Sequence, residues 1–213
     1  APITRPCRVA TLALVFVAVA TSARATDYWV SPSGNDAASG LSPAAAWATL
    51  VHAAGEVATG DTVHVQPGNY QGFYLDASGA PGSPIAFVAT GPGVAITANN
   101  PVTPDGINIE GADHIVIDGF TVTGRTRAGI RAALSDVVTI RNCTAGDNGR
   151  WGIFTGFTDD LLVENNETYG SVLEHGIYVS NSCDRPVVRG NHVHDNFANG
   201  IHLNGDESQG GDG

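Results

Sequence analysis

The sequence repeats itself about every two dozen residues between positions 105 and 203. The dipeptide Gly-Ile marks the register of this repeat and occurs five times, with spacings of 23, 23, 24 and 24 residues. The five pairs begin at Gly106, Gly129, Gly152, Gly176 and Gly200. A fixed period of this length is typical of solenoids, in which a repeat buries its apolar side chains only by stacking on its neighbours.

Each repeat contains two short segments that alternate as β-strands do. The first reads Gly-Ile-x-apolar, and the second, such as residues 115–117, starts eight residues after the Ile. A strand, a turn, a second strand and a second turn fill the period, which leaves no room for a crossover helix. The repeat therefore predicts an all-β fold, a right-handed parallel β-helix in which each repeat forms one coil.

Stacking the repeats in this register gives columns of related residues. In a β-solenoid, a residue lies about 4.8 Å from its equivalent in the next coil, so a correct register places compatible side chains in one column. Two inward columns are apolar: Ile107, Ile130, Ile153, Ile177 and Ile201, and then Ile117, Ile140, Val163 and Val188. A corner column reads Phe120, Cys143, Asn166 and Asn191, and an outward column reads Asp118, Arg141, Glu164 and Arg189. We therefore expect stacked asparagines that bond the backbone, and opposite charges that attract each other across neighbouring strands.

The first 25 residues have the pattern of a secretory signal peptide. Arg5 and Arg8 precede an apolar run, and Ala23-Arg24-Ala25 has the form of a cleavage site. The apolar run is too short to cross a membrane. We therefore expect a protein without a membrane span that is secreted to the extracellular space or the periplasm. We also expect it to be a monomer.

Beyond residue 25 the chain is strongly acidic. It carries 21 Asp and Glu against seven Arg and no Lys, a formal charge of about −14. This charge argues against nucleic acid and anionic membranes as partners. An anionic polysaccharide would also be repelled, unless Arg or a bound cation makes a local exception. Cys143 and Cys183 lie two coils apart in the register, so we expect free thiols.

Residues 26–60 precede the coils and are predicted to form a strand and a capping helix. Ser42 and Pro43 are typical of a helix N-terminus. One face of the helix would be apolar, through Trp47, Leu50, Val51, Ala54 and Val57. Such a helix would cover the end of the core, where a strand edge would otherwise be exposed. Residues 61–213 are then coils, and because the last coil is incomplete we expect a fragment of a longer chain.

The segments before the Gly-Ile coils carry a family resemblance. They read Tyr-Trp-Val-Ser-Pro-Ser-Gly-Asn-Asp from residue 28, Trp-Ala-Thr-Leu from residue 47 and Gly-Asp-Thr-Val-His-Val-Gln-Pro-Gly-Asn-Tyr from residue 60. This order resembles secreted right-handed β-helix proteins of the polysaccharide lyase and epimerase type, over residues 27–213. The resemblance is specific for the fold and less so for the chemistry, because this fold also hosts hydrolases and non-catalytic adhesins.

The outward side of the first strand is the predicted substrate surface. Its central column reads Asn108, Arg131, Phe154, Tyr178 and His202. Aromatic rings offer flat apolar faces to a sugar, while amide, imidazole and guanidinium groups offer hydrogen bonds to its hydroxyls. The residues predicted to bind substrate are Trp151, Phe154, Tyr178, Asn199 and Asn204. The alternative is that the aromatic ladder only stabilises the stacked strands.

A lyase or epimerase needs a base that removes the proton α to a uronate carboxylate, and a cation or donor that neutralises that carboxylate. We predict His175 or His202 as base or acid and Arg131 as the charge partner. In several families of this fold the base is a Lys or an Arg. The chain has no Lys, so a Lys base is excluded for this segment.

Acidic residues allow two further interpretations. Asp159-Asp160 and Glu174-His175 are similar to polygalacturonase motifs, but Asp159 belongs to a column that recurs in every coil: Asp113, Asp136, Asp159 and Asp184. Recurrence favours a turn residue that bonds local backbone amides, and a calcium ion bound along the column is the alternative. In the final loop, Asp206, Glu207 and Asp212 form the predicted Ca²⁺ site. His192-x-His194 suggests a transition metal, but the sequence fixes no third ligand, so zinc is disfavoured.

These features predict a secreted protein that binds, and cleaves or epimerises, an extracellular polysaccharide containing uronic acid. Ca²⁺ is the candidate cofactor. The alternative function is that of a non-catalytic surface or adhesion module.

Overall fold

The computed structural model describes residues 25–205 and residue 208. Its strands are, in chain order, β1 (Asp27–Val30), β2 (Thr62–Val65), β3 (Gly68–Gln71), β4 (Phe73–Leu75), β5 (Ile85–Ala89), β6 (Val94–Ala98), β7 (Ile107–Glu110), β8 (Ile115–Asp118), β9 (Thr121–Thr123), β10 (Ala128–Ala133), β11 (Val138–Arg141), β12 (Thr144–Gly146), β13 (Trp151–Gly156), β14 (Leu162–Glu164), β15 (Glu167–Tyr169), β16 (Ile177–Ser180), β17 (Val187–Arg189), β18 (His192–His194) and β19 (Ile201–Asn204). One α-helix, α1 (Leu50–Glu56), follows a 3₁₀ turn at Pro43–Ala45. The predicted signal peptide falls on residues 1–25, of which all but the last lie outside the described part of the chain.

The strands form three parallel sheets that run along one solenoid of about six coils. Sheet A has the order β1-β2-β5-β8-β11-β14-β17, sheet B the order β18-β15-β12-β9-β6-β3, and sheet C the order β19-β16-β13-β10-β7-β4. Neighbours in each sheet are consecutive coils, and every registered pair of strands is parallel. The predicted parallel β-helix is therefore confirmed. No helix within residues 25–205 is long and apolar enough to cross a bilayer.

Each coil has three strands, whereas the sequence pattern indicated two. The additional strands of the repeat region are β9, β12, β15 and β18 in sheet B, and each is three residues long. Only the middle residue of each points inward: Val122, Ala145, Thr168 and Val193. A strand of three residues is too short for the alternation of inward apolar and outward polar residues to be recognised in the sequence. The sequence pattern therefore indicated turns at these positions.

The interior consists of the apolar columns that the register predicted. Ile107, Ile130, Ile153 and Ile177 are completely buried, one above another. Ile201, in the last coil, is 43% exposed because no described strand covers it. Burying a side chain of this size contributes roughly 1.5–3 kcal/mol, so the columns are the main source of stability.

Two predicted ladders hold neighbouring coils together. At the corner, Asn166 Oδ1 accepts a hydrogen bond from the Cys143 amide at 2.9 Å, and Asn191 Oδ1 accepts one from the Asn166 amide at 2.9 Å. On the outside of sheet A, Arg141 pairs with Asp118 and Arg189 pairs with Glu164. Both free thiols are also as expected: Cys143 is buried and Cys183 is partly buried.

The N-terminal helix is shorter than the sequence indicated and starts later. Ser42 precedes only the 3₁₀ turn and makes no capping bond, whereas Thr49 Oγ1 accepts from the His52 amide and caps α1. Trp47 is not helical, because its backbone pairs with β1 through bonds to Trp29 and Ser31. Its indole is buried, and Leu50 on α1 is buried too. The helix packs chiefly against β4, which is consistent with a cap on the first coil.

Candidate functional site

The outward column of sheet C runs the full length of the solenoid. Strand pairing places Asn108, Arg131, Phe154, Tyr178 and His202 on successive rungs, as predicted. Tyr74 on β4 lies opposite Asn108 and extends the column by one rung. At about 4.8 Å per rung the six positions span roughly 24 Å, a length that suits a polymer chain.

Five rings form one cluster on the last three coils of this face. Trp151 lies 4.6 Å from Phe154 and 6.1 Å from Tyr178, measured between ring centroids. Tyr178 makes edge contacts with His175 at 5.1 Å and with His202 at 5.0 Å. The structure therefore brings together Trp151, Phe154, Tyr178, His175 and His202, all of them predicted site residues. We call this group the aromatic face.

Asn199 fixes the tautomer of both histidines of the aromatic face. The Asn199 backbone amide donates to His175 Nδ1 at 3.1 Å, and the Asn199 side-chain nitrogen donates to His202 Nδ1 at 2.9 Å. Each neutral ring consequently carries its proton on Nε2. The rings stack on each other with centroids 4.5 Å apart. Asn199, predicted to bind substrate, thus orients both rings.

The pKa of His175 is shifted by this packing. Burial lowers the pKa, the neighbouring His202 lowers it further, and Glu174, whose carboxylate lies 3.6 Å from Nε2, opposes the change. His175 is therefore neutral at pH 7, with its Nε2–H group beside the Glu174 carboxylate. A neutral ring with both nitrogens engaged in this way cannot take a proton from a sugar unless the Asn199 contact is released.

Arg131 is already paired inside the column. Its guanidinium donates to Asn108 Oδ1 at 2.9 Å and forms an ion pair with Glu110. Burial alone would raise the pKa of Glu110, but hydrogen bonds from Asn108 and Arg131 hold it below the ordinary value. Arg131 also lies 5.7 Å from the Phe154 ring centroid. The predicted charge partner thus lies on the site but is neutralised by Glu110.

A second ion pair flanks this network. Asp105 is completely buried and accepts from Arg127 Nε at 2.8 Å and from the Ala128 amide at 3.0 Å. The pair links the turn before β7 to the turn before β10. Its arginine is therefore structural rather than free for a ligand.

Arg150 is a candidate that the sequence pattern did not reveal. Its guanidinium carbon lies 5.3 Å from the Trp151 ring centroid, and the residue is exposed. Within residues 25–205, every other arginine is bonded to a carboxylate or, for Arg125, to backbone carbonyls. Arg150 precedes the repeat strand by one residue and lies one repeat after Arg127. The partner of Arg127 is Asp105, and the equivalent position beside Arg150 is Ala128, which has no charge.

Asn204 lies apart from the aromatic face. It is the last residue of β19, is exposed, and pairs in register with Ser180 on the opposite flank of the column. The predicted calcium ligands Asp206, Glu207 and Asp212 lie outside the described residues, so that site stays a prediction.

The aspartate column is a backbone ladder, as the recurrence indicated. Asp113 Oδ1 accepts from the Asp136 amide at 2.8 Å, Asp136 Oδ1 from the Asp159 amide at 3.0 Å, and Asp159 Oδ1 from the Asp184 amide at 2.9 Å. Arg185 lies against the end of the column and bonds Asp160 at 2.7 Å. Backbone amides and the Arg185 guanidinium thus bond carboxylates of this column, and Ca²⁺ bound along it stays a prediction.

Solved structures with a similar fold include two polysaccharide lyases. The chain resembles pectate lyase Pel9A with a TM-score of 0.60 and 18% identity, over 86% of this chain and 47% of that one. It resembles an alginate lyase from Paenibacillus sp. str. FPU-7 with a TM-score of 0.56 and 21% identity, over 73% of this chain and 55% of that one. The chain therefore spans about half the length of these proteins, and at such identities the likeness concerns the fold alone. A comparison with curated proteins gave no match.

A family model gives the assignment directly. The model described as the right handed beta helix region matches residues 87–210, which is more than half of the chain. The matched segment contains all the Gly-Ile coils and the aromatic face. The chain belongs to the right-handed β-helix family.

Proposed function

We propose that the aromatic face binds an extracellular polysaccharide containing uronic acid, and that the chain is part of a lyase or C5-epimerase acting on it. The observation that carries this proposal is Arg150, an unpaired guanidinium held against Trp151 at the edge of a five-ring cluster. Rings of this kind stack on sugar faces, and a free guanidinium recognises a carboxylate with two parallel hydrogen bonds. The pectate and alginate lyases with the same fold support the substrate class.

In the proposed reaction Arg150 stabilises the substrate carboxylate while the adjacent C–H proton is removed. A lyase then breaks the bond to the neighbouring sugar and leaves an unsaturated product, whereas an epimerase returns a proton to the opposite side of the carbon. Donors that stabilise the developing negative charge contribute most to such steps. His175 and His202 would supply N–H groups toward the sugar, and either becomes a base only when Asn199 releases its Nδ1.

A non-catalytic binding module is the second candidate. It is favoured by the same contacts of Asn199, which leave both histidines as donors rather than bases. Under this function the aromatic face holds the polymer and the protein makes no product.

Calorimetric titration of the purified chain with oligogalacturonate and oligoalginate, and with a neutral oligosaccharide of the same length, tests binding. We expect Arg150→Gln to lower the affinity for the acidic oligosaccharides by roughly tenfold or more and to leave the affinity for the neutral one unchanged. Tyr178→Ala should lower the affinity for acidic and neutral oligosaccharides alike. Gln71→Ala, on the outside of sheet B, is the matched control and should change neither affinity. Wild-type protein that binds no acidic oligosaccharide would contradict the proposal.

Product formation separates the two functions. Ultraviolet absorbance detects the unsaturated uronate of a lyase, and solvent deuterium entering the sugar ring detects an epimerase. Each assay is run with Ca²⁺ and with EDTA, which tests the predicted cofactor. Both assays are run on the whole protein of which this chain is part, and binding without either product there identifies the non-catalytic module.

A further inference from the structure

Glu167, His192 and His194 meet on the outside of sheet B, on a different side of the solenoid from the aromatic face. His192 and His194 are two residues apart on β18, so both point outward, and Glu167 lies opposite His192 on β15. The intervening Thr168 and Val193 point inward, and Thr168 is completely buried, which fixes which side of each strand faces solvent.

The two separations between Glu167 and the histidines suit a shared metal ion better than strong hydrogen bonds. Glu167 Oε1 lies 3.5 Å from His192 Nδ1 and 3.4 Å from His194 Nε2, and all three atoms lie within 4.8 Å of one another. Metal–ligand bonds of about 2.0–2.1 Å at tetrahedral angles place ligand atoms about 3.3 Å apart. Hydrogen bonds of normal strength would be shorter, about 2.7–3.2 Å.

Neighbouring groups orient His194 toward the other two ligands. Asp195 Oδ2 lies 2.9 Å from His194 Nδ1, which directs Nε2 toward Glu167. Tyr169 stacks on the His194 ring at 5.5 Å with an angle of 17° between the planes. The Tyr169 ring itself lies over Gly146, where any side chain would meet the ring at 2.3 Å. A carboxylate behind a ligating imidazole is the usual outer partner in metal sites.

We propose that Glu167, His192 and His194 bind one divalent transition-metal ion of the zinc class, with Asp195 as a positioning residue. Two imidazoles and one carboxylate form a donor set typical of Zn²⁺, and the partial exposure of all three side chains leaves a further coordination position open to solvent. The ion would tie β15 to β18 and so stabilise the last two described coils.

Calorimetric titration of the chelator-treated chain with ZnCl₂ tests the site, with CaCl₂ as the comparison ion. We expect saturable binding of one zinc ion per chain, and a visible spectrum of tetrahedral coordination when Co²⁺ replaces it. Asp195→Asn should lower the affinity about 10- to 100-fold, and Glu167→Gln, His192→Ala and His194→Ala should each lower it further. Zinc should also raise the melting temperature of the wild type and of none of the three ligand variants.

His64→Gln is the matched control, because His64 is also an outward strand residue whose Nε2 lies 2.7 Å from one carboxylate, that of Asp27. It should bind zinc as the wild type does. If zinc binding survived in His194→Ala but disappeared in His202→Ala, the ion would be bound at the aromatic face. That result would overturn the assignment. Absence of saturable binding in the wild type would overturn it as well, since a solvated ion pair would then account for the cluster.

Discussion

Asn166 is the position where the stacking of coils can be tested most sharply. Its side chain is 2% exposed and makes three contacts: Oδ1 accepts from the Cys143 amide at 2.9 Å, and Nδ2 donates to the Ile140 carbonyl and to Asn191 Oδ1, both at 3.0 Å. Asn166→Ala removes all three. The Cys143 amide then loses its acceptor in a buried position, whereas Asn191 Oδ1 keeps its bond from the Asn166 backbone amide.

The expected destabilisation follows from these contacts. An orphaned buried amide costs about 1–3 kcal/mol, and each of the two lost donor bonds roughly 0.5–1.5 kcal/mol, so Asn166→Ala should lower the free energy of unfolding by about 2–6 kcal/mol. That is a large share of the free energy of unfolding of a typical domain, which is roughly 5–15 kcal/mol. Urea unfolding followed by circular dichroism should give a lower midpoint at unchanged slope. Asn69→Ala, on the exposed side of β3, is the control, and an Asn166 variant within about 0.5 kcal/mol of wild type would refute the ladder argument.

Three other perturbations probe the core, the site and the thiols. Ile153→Ala should cost about 2–5 kcal/mol of unfolding free energy in the same urea assay, and an unchanged midpoint would contradict its inward placement. Burial, together with His202, lowers the pKa of His175, so its contribution to stability is complete above the ordinary value and is lost as pH falls through the lowered pKa. His175→Gln should therefore flatten the decline in stability between pH 7.5 and 5, and an unaltered decline would contradict this. Burial raises the pKa of Cys143 to about 12, so in a Cys183→Ser variant that thiol should react with iodoacetamide only after denaturation.

The fold could be predicted because residues that stack on one another in a solenoid recur in the sequence at a fixed interval. The columns through Ile153 and through Asn166 follow from the Gly-Ile spacing alone, since equivalent residues must lie against one another. The third strand of each coil could not be found in this way. A segment such as β12 (Thr144–Gly146) presents one inward residue, Ala145, and its extended conformation is set by pairing with the coils on either side. The start of α1 was misplaced for a related reason, because pairing with β1 outweighs the helical pattern around Trp47.

The aromatic face was predictable to the same extent as the columns. Phe154 and Tyr178 occupy repeat positions, and strand pairing placed them where the register required. Arg150 was missed because it lies in the turn before β13, outside the strand columns, although it follows Arg127 by one repeat and Ala128 replaces the equivalent of Asp105 beside it. Glu167 was overlooked as a metal ligand because β15 and β18 resembled turns. Once these are strands in register, Glu167 lies directly opposite His192.

The charge of the whole chain does not decide which polymer the aromatic face can bind. Beyond residue 25 the formal charge is about −14, which by itself would repel a polyuronate. On sheet C, however, Asp105 and Glu110 are matched by Arg127 and Arg131, so the central rungs carry little net charge. The aspartate ladder lies in the turns between sheet C and sheet A, where its carboxylates accept hydrogen bonds from backbone amides. Under the proposed function, Arg150 provides the positive charge for a uronate carboxylate on this face.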